Sequence, residues 1–384
     1  MDKTKNTHPH ILFRKHWELT PQIQHWLGEC EAMCRTIASS PIRPKDREFL
    51  MHVSLIKGAQ ATTAIEGNTL SQEEIEKIFE GESLAPSKHY QEIEVRNVID
   101  TLNKIWMDVA FNKMSAPLSP ALVQGFHRDI TQNLGEHMDA IPGRWREDER
   151  TVGPYLPPRH QAVPELMKEL CEWLKREFHY PDQDFTTGIV QAIVAHVYIE
   201  WIHPFGDGNG RTGRMVEFYI LLRKGLPDIV SHILSNYYNE TRSEYYRQLN
   251  ETRKMRDLTG FIRYAVQGFR DGLVGNLEKI QEGQLKIFWR NHVYETFADL
   301  KYSKKSLFKR KRELVLAAPF DAWFGMDEAI YKTPLETIRE YSKLSEMTKK
   351  RDFRNLVSMG LLMEKEGKYR INTDLLLQYL PVRK

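Results

Sequence analysis

The chain has 384 residues, 41% of them hydrophobic, with 55 lysines and arginines against 52 aspartates and glutamates and a net charge of +3. These values suit a globular protein of two or three domains and exclude a disordered chain or one whose bulk charge alone would recruit nucleic acid. No apolar run reaches the ~20 residues of a membrane span and the N-terminus lacks a signal-peptide core, so a cytoplasmic protein with no membrane partner is expected.

In chain order, helix-forming residues at helical spacing dominate, and the predicted class is mainly α. Residues 1–114 read as an N-terminal helical region. Its Cys30 and Cys34 lie one helical turn apart, and Cys171 is remote, which points to buried reduced thiols rather than a disulfide framework. The same region contains "TTAIEGNTLS", Thr62 to Ser71. Thr62 and Glu66 are spaced to share a helix face, and Gly67 is placed to stop the helix, leaving a carboxylate at a C-terminus where it opposes the dipole. A surface glutamate before a capping glycine has the same pattern, so both readings stand at this point.

"SAPLSPALVQGFHRDI" opens the next region with Pro120 at a helix start, and a boundary is expected near Ser115. Residues 115–276 predict helices over Ala121–Gln132, Val163–Phe178, Phe185–Trp201, Gly210–Arg223 and Thr241–Met255. Between the first two, "GRWREDERTVGPYLPPRH" has too much glycine and proline for a helix and suits a loop or short hairpin. Residues 277–384 predict a helix over about Asn276–Leu300, then two short helices, a turn, and "LLMEKEGKYRIN" as two strands around Glu366-Gly367. That order is a winged helix-turn-helix pattern. Its second helix carries Lys349, Lys350, Arg351 and Arg354, a face for DNA, for a dimer contact or for solvent alone.

The densest chemistry is "HPFGDGNGRTGR", His203 to Arg214. Gly206, Gly208 and Gly210 free the backbone to turn successive N–H groups inward at a helix N-terminus, a cradle for phosphate. Arg211 and Arg214, three apart, add guanidinium groups in the first turn, enough for a di- or triphosphate. Asp207 offers the single hard oxygen typical of Mg²⁺ held mainly by phosphate and water. His203 supplies a base that works near pH 7. Taken singly, each of these residues is also an ordinary cap, turn or surface charge. The stretch is neither a Walker loop nor a dinucleotide fingerprint.

The stretch resembles the HxFx(D/E)GNGRxxR signature of Fic (Fido) domain proteins. The upstream "AHVYIEWIHPF" is similar to the same family, "PGRWREDERTVGPYLPP" is similar to its substrate-docking flap, and "SEYYRQL" is similar to the segment bordering its adenine pocket. The likeness spans roughly residues 50 to 270. It implies a Fic-type helical core with a short β-hairpin flap and a protein adenylyltransferase that moves AMP from ATP to a Ser, Thr or Tyr hydroxyl of a target protein, with self-modification. It implies that His203 deprotonates the hydroxyl, that Asp207 holds Mg²⁺, and that Asn209 orients the α-phosphate. Gly208, Gly210 and Arg211 would hold the following phosphates, and Arg214 the γ-phosphate. Tyr245 and Tyr246 would border the adenine, and Val152 and Gly153 would pair with an extended target segment.

"TTAIEGN" in turn resembles the family's inhibitory motif (S/T)xxxE(G/N), which implies that Thr62, Glu66 and Gly67 form a lock in which Glu66 takes Arg214 from the γ-phosphate. The alternatives carried forward are a nucleotide-sensing DNA-binding regulator and a Fic enzyme that removes AMP. A homodimer is a further expected arrangement.

Overall fold

The structure is a computed structural model describing residues 8–40, 44–111, 116–179, 185–298, 305–320 and 322–377. The boundary expected near Ser115 lies outside these residues. The chain divides into two compact units, Met1–Leu277 and Glu278–Lys384.

In chain order the helices are α1 (Pro21–Ser39), α2 (Pro44–Ala64), α3 (Gln72–Phe79), α4 (His89–Ala110), α5 (Pro120–Thr131), α6 (Val163–Glu177), α7 (Phe185–Ile202), α8 (Asn209–Arg223), α9 (Ile233–Glu240), α10 (Arg242–Met255) and α11 (Thr259–Ala298). Starts follow local chemistry. Ser119 Oγ accepts from Leu122 N at 3.3 Å ahead of Pro120, and Ser71 and Glu74 form a reciprocal capping box on α3.

The centre of the first unit is α7. Over its 18 residues it is long and apolar enough to pass for a membrane span, contrary to the expectation that no such run exists, but most of it is buried inside the protein. An amphipathic helix hides one stripe; a helix apolar on all sides must be covered on all sides. Helix α8 packs closely on α7, α6 and α1 also contact α7, and α4 and α5 lie against α8. A Cβ at Gly213 of α8 would come within 2.9 Å of His196 Nδ1 of α7, so this glycine sets how near the two helices approach.

Helix α11 differs from expectation. The predicted helix began near Asn276, yet the observed one begins at Thr259 and runs through Gly260, Gly268, Gly272 and Gly275; Leu300, its expected end, lies outside the described residues. Two of these glycines are packing sites. A Cβ at Gly268 would sit 2.0 Å from Tyr237 Cδ1, and one at Gly272 2.4 Å from Ile233 Cγ2. Tertiary packing against α9 outweighs the ~1 kcal/mol helix penalty of each glycine. The flap is also slighter than a hairpin of two strands: a single antiparallel bridge joins Val152 and Tyr155.

The second unit holds α12 (Lys305–Ala317), α13 (Met326–Tyr331), α14 (Leu335–Ser342), α15 (Glu346–Ser358), the antiparallel strands β1 (Leu362–Lys365) and β2 (Lys368–Ile371), and α16 (Asp374–Leu377). Glu366 and Gly367 both take left-handed φ, +52° and +74°, as a two-residue hairpin turn requires. Phe324 bridges Tyr369 on the other side of β2, and its ring joins Tyr341, Phe353, Leu356 and Ile371 in a separate core. Asp352, fully buried on α15, receives Arg310 Nε and Nη2 at 3.0 and 2.6 Å, which fixes α15 to α12. The three cysteines, Cys30, Cys34 and Cys171, are buried free thiols, and burial pushes the Cys30 and Cys171 thiols up to about 12.

Candidate active site

The loop between α7 and α8 is built by a few local bonds. His203 ends α7 in a left-handed conformation, φ +49°, with its N–H donating to Ile199 O at 2.8 Å. Asn209 clasps Phe205 from both sides: Phe205 N donates to Oδ1 at 2.8 Å and Nδ2 donates to Phe205 O at 3.0 Å. Asn209 is thus buried and braces the loop, with one Nδ2 hydrogen engaged by Phe205 O. Gly208 precedes α8 at φ +78°, which a side chain rarely adopts. The first N–H groups of a 15-residue helix then face the site, an anion-binding end by geometry and dipole.

His203 is fixed from the flap. Arg146 Nε donates to His203 O at 2.8 Å, its main-chain N–H donates to Pro204 O at 2.9 Å, and its Nη1 and Nη2 donate to Asp148 O and Pro158 O. One buried guanidinium so ties the loop to both ends of the flap. Burial first, and the Arg146 charge second, lower His203 to about 4. The ring is neutral at pH 7, with a lone pair to accept a proton. At the flap tip, Gly153 has φ +55° and Val152 is exposed.

The two arginines of α8 go to different carboxylates. Arg211 pairs with Glu94 of α4 and lies 3.3 Å from Asp207 Oδ1. Arg214, wholly buried, donates through Nη2 to Glu66 Oε1 at 2.6 Å and to Thr62 O at 3.0 Å. Thr62 therefore meets the arginine through its carbonyl, and Glu66 lies in the turn just past α2. Gly67, at φ +104°, ends the helix so that the chain can present Glu66. Burial raises the pKa of Glu66, but Arg214 and Arg211 outweigh it and hold the carboxyl below its ordinary value. A Cβ on Gly210 would lie 2.4 Å from Glu66 Oε1, 3.1 Å from Arg214 Nη1 and 3.2 Å from Glu200 Oε1, so three charged groups converge where this residue has no side chain.

Residues 117–221, which hold the whole loop, match the Fic/DOC family. The chain carries a Fic/DOC domain. The chain is 31% identical over 206 residues to protein adenylyltransferase fic-1 of Caenorhabditis elegans, covering 54% of this chain and 38% of that one. It is 27% identical to protein adenylyltransferase Fic of Nematostella vectensis over 54% of this chain and 45% of that one. The chain thus spans less than half the length of these relatives. Among solved structures, a Fic family protein from Desulfovibrio desulfuricans G20 matches with TM-score 0.57 at 20% identity, over 93% of this chain and 98% of that one. Residues 134–508 of C. elegans Fic-1 match with TM-score 0.56 at 24% identity, over 68% and 73%. At such identities the likeness is one of fold.

Around the Fic/DOC loop, the tyrosine pair splits. Tyr245 is enclosed, with its hydroxyl 2.8 Å from His196 Nε2 and its ring stacked on Tyr238 at 4.9 Å, so no face is open to a base. Tyr246 is 46% exposed and keeps an open face. Asp207 engages Gly208 N and Arg211 through Oδ1, while Oδ2 has no partner among the described residues. No group of three or more His, Cys, Asp or Glu among the described residues could hold a metal, so a cation at Asp207 would complete its shell with phosphate and water.

Four residues of the site escape sequence reasoning. Arg146 is one. Glu94 is buried and also accepts from Asn68 Nδ2 at 2.8 Å; its signal is a carboxylate in phase with Val98, Leu102 and Ile105 on the inner face of α4. Glu200 is the one charged residue of the otherwise uncharged α7; burial, then the nearby Glu66, raise it to about 7. His127 accepts from Gly143 N at 2.9 Å through Nδ1, so Nε2 carries the proton and donates to Asp207 O at 3.0 Å. Its ring stacks on Phe205 at 3.7 Å. It links the start of the flap to Asp207 of the loop.

Proposed function

We propose that the protein is a protein adenylyltransferase, which transfers AMP from ATP to a Ser, Thr or Tyr hydroxyl of a target protein or of itself, and that Glu66 holds it in check. The observation that carries this reading is a neutral His203 beside a helix-end phosphate cradle whose arginine, Arg214, is already taken by an internal carboxylate. The names of the relatives support the same activity.

His203 takes the proton of the target hydroxyl as its oxygen attacks the α-phosphorus. The bond from that phosphorus to the β-phosphate oxygen breaks, and diphosphate leaves. Transfer of this type needs positioning and charge neutralisation more than covalent help. The α8 N–H groups with Gly208 and Gly210 hold the phosphate chain, Arg211 lies beside Asp207 to serve the β-phosphate, and Arg214 serves the γ-phosphate. Asp207 suits Mg²⁺, which supplies further charge neutralisation when bound. Tyr246 offers a face to the base. Val152 and Gly153 present main-chain groups to an extended target segment.

With Glu66 on Arg214, the γ-phosphate meets a carboxylate instead of a cation. Low resting activity follows. The test is label position: ATP labelled at the α-phosphate should mark protein, and ATP labelled at the γ-phosphate should not. Marking from the γ-label alone would overturn the reading in favour of a kinase.

A further inference from the structure

We propose that the second unit of the chain binds double-stranded DNA, with α15 as the helix that enters the major groove and the β1–β2 turn as a flanking wing. The near-neutral charge of the whole chain hides a division. Residues 278–384 carry 22 lysines and arginines against 15 aspartates and glutamates, a net +7, whereas residues 1–277 carry 33 against 37, a net −4. A basic domain attached to an acidic one is an electrostatic footprint confined to one part of the molecule.

Within that unit six cations gather on one structural motif, among the exposed Glu364 and Glu366 of its hairpin. Lys343 lies in the turn before α15, Lys350, Arg351 and Arg354 on α15, and Lys365 and Lys368 at the hairpin; all six are exposed, and none has an ion-pair partner among the described residues. Their arrangement works against the fold taken alone. Lys350 and Arg354 repel at i,i+4 on the helix, and Lys365 stands directly opposite Lys368 across the ladder. A bound polyanion removes both repulsions.

The other side of α15 is anchored, since Asp352, Phe353 and Leu356 are buried and Phe353 packs on Tyr369 of β2 at 4.7 Å. The cationic side is therefore held rigidly outward. The order α14, turn, α15, hairpin, with Phe324 bridging the far edge of β2, is that of a winged helix-turn-helix. An α-helix fits the major groove of B-form DNA and not the deep, narrow one of A-form RNA, which selects duplex DNA among polyanions.

The test is fluorescence anisotropy with the full chain and a labelled 30-base-pair DNA duplex of mixed sequence, from 50 to 200 mM salt without nucleotide. Neutralising about five phosphates predicts a log–log salt slope of about −4.5, hence a loss of affinity of roughly 500-fold across that range. Arg351→Ala with Arg354→Ala should flatten the slope by about 2 while leaving circular dichroism and ATP-dependent self-labelling unchanged, since these exposed side chains lie outside the Fic/DOC loop. Absence of binding at 50 mM salt, an unchanged slope in the double variant, or tighter binding to a duplex RNA of the same sequence would each overturn the proposal.

Discussion

Glu66 Oε1 lies 2.6 Å from Nη2 of Arg214, joining the end of α2 to the second turn of α8 across 148 positions of the chain. The arginine is wholly buried, and its Nε and Nη1 have no protein partner among the described residues, so the guanidinium has donors to spare but only one carboxylate against it. Removing the charge while keeping the shape isolates that pairing. Glu66→Gln should tighten ATP binding, read by calorimetry, by roughly tenfold, about 1.4 kcal/mol. Equal affinities in variant and parent would remove Glu66 from the control of the phosphate site.

Glu94 and Arg211 form the second pair, and here both groups are buried. Breaking such a pair leaves an uncompensated charge, at a typical cost of about 3–5 kcal/mol. Glu94→Gln, which keeps an acceptor for Asn68, should cost less but still more than about 1 kcal/mol in denaturant unfolding. It should also raise KM for ATP more than it lowers kcat, because Arg211 loses its anchor beside Asp207. A variant as stable as the parent, with unchanged KM, contradicts this role.

Glu200 is expected to make the Glu66–Arg214 pairing pH-dependent. Its folded pKa is raised to about 7, by burial first and Glu66 second, so it is protonated at pH 6 and ionised at pH 8. The folded state binds this proton more tightly than the unfolded state, so Glu200 costs stability as pH rises from the ordinary carboxylate range through 7. Ionised, it repels Glu66 and draws on Arg214. The ratio of wild-type to Glu66→Gly labelling, which cancels the pH dependence of the chemistry itself, should rise several-fold from pH 6 to pH 8. In Glu200→Gln the ratio should stay flat.

The parts of the molecule legible in the sequence are those set by neighbours in the chain. The α7–loop–α8 turn could be read because its glycines and the helix start after Gly208 are local. The bounds of α5, α6, α8 and α10 fall within a residue or so of those expected, for the same reason. What could not be read depends on distant partners. Glu94 meets Arg211 across 117 positions and Arg146 meets His203 across 57, and although the phase of Glu94 on α4 marks it as buried, no local pattern names the partner of either. The early start of α11 escapes sequence reasoning because Tyr237 and Ile233, which fill the space beside Gly268 and Gly272, belong to another helix. The clasp of Asn209 on Phe205 could not be read either, because it exists only once the loop has closed.

The measurement that tests the central claim most directly is the rate of protein labelling from ATP carrying its label at the α-phosphate, compared between wild type, Glu66→Gly and Glu66→Gly with His203→Ala. A roughly ten- to hundred-fold higher rate is expected in Glu66→Gly than in wild type, and a fall of about 10²- to 10⁴-fold from that level when the base is removed. Labelling by Glu66→Gly no faster than wild type, or labelling that survives the loss of His203, would contradict that claim.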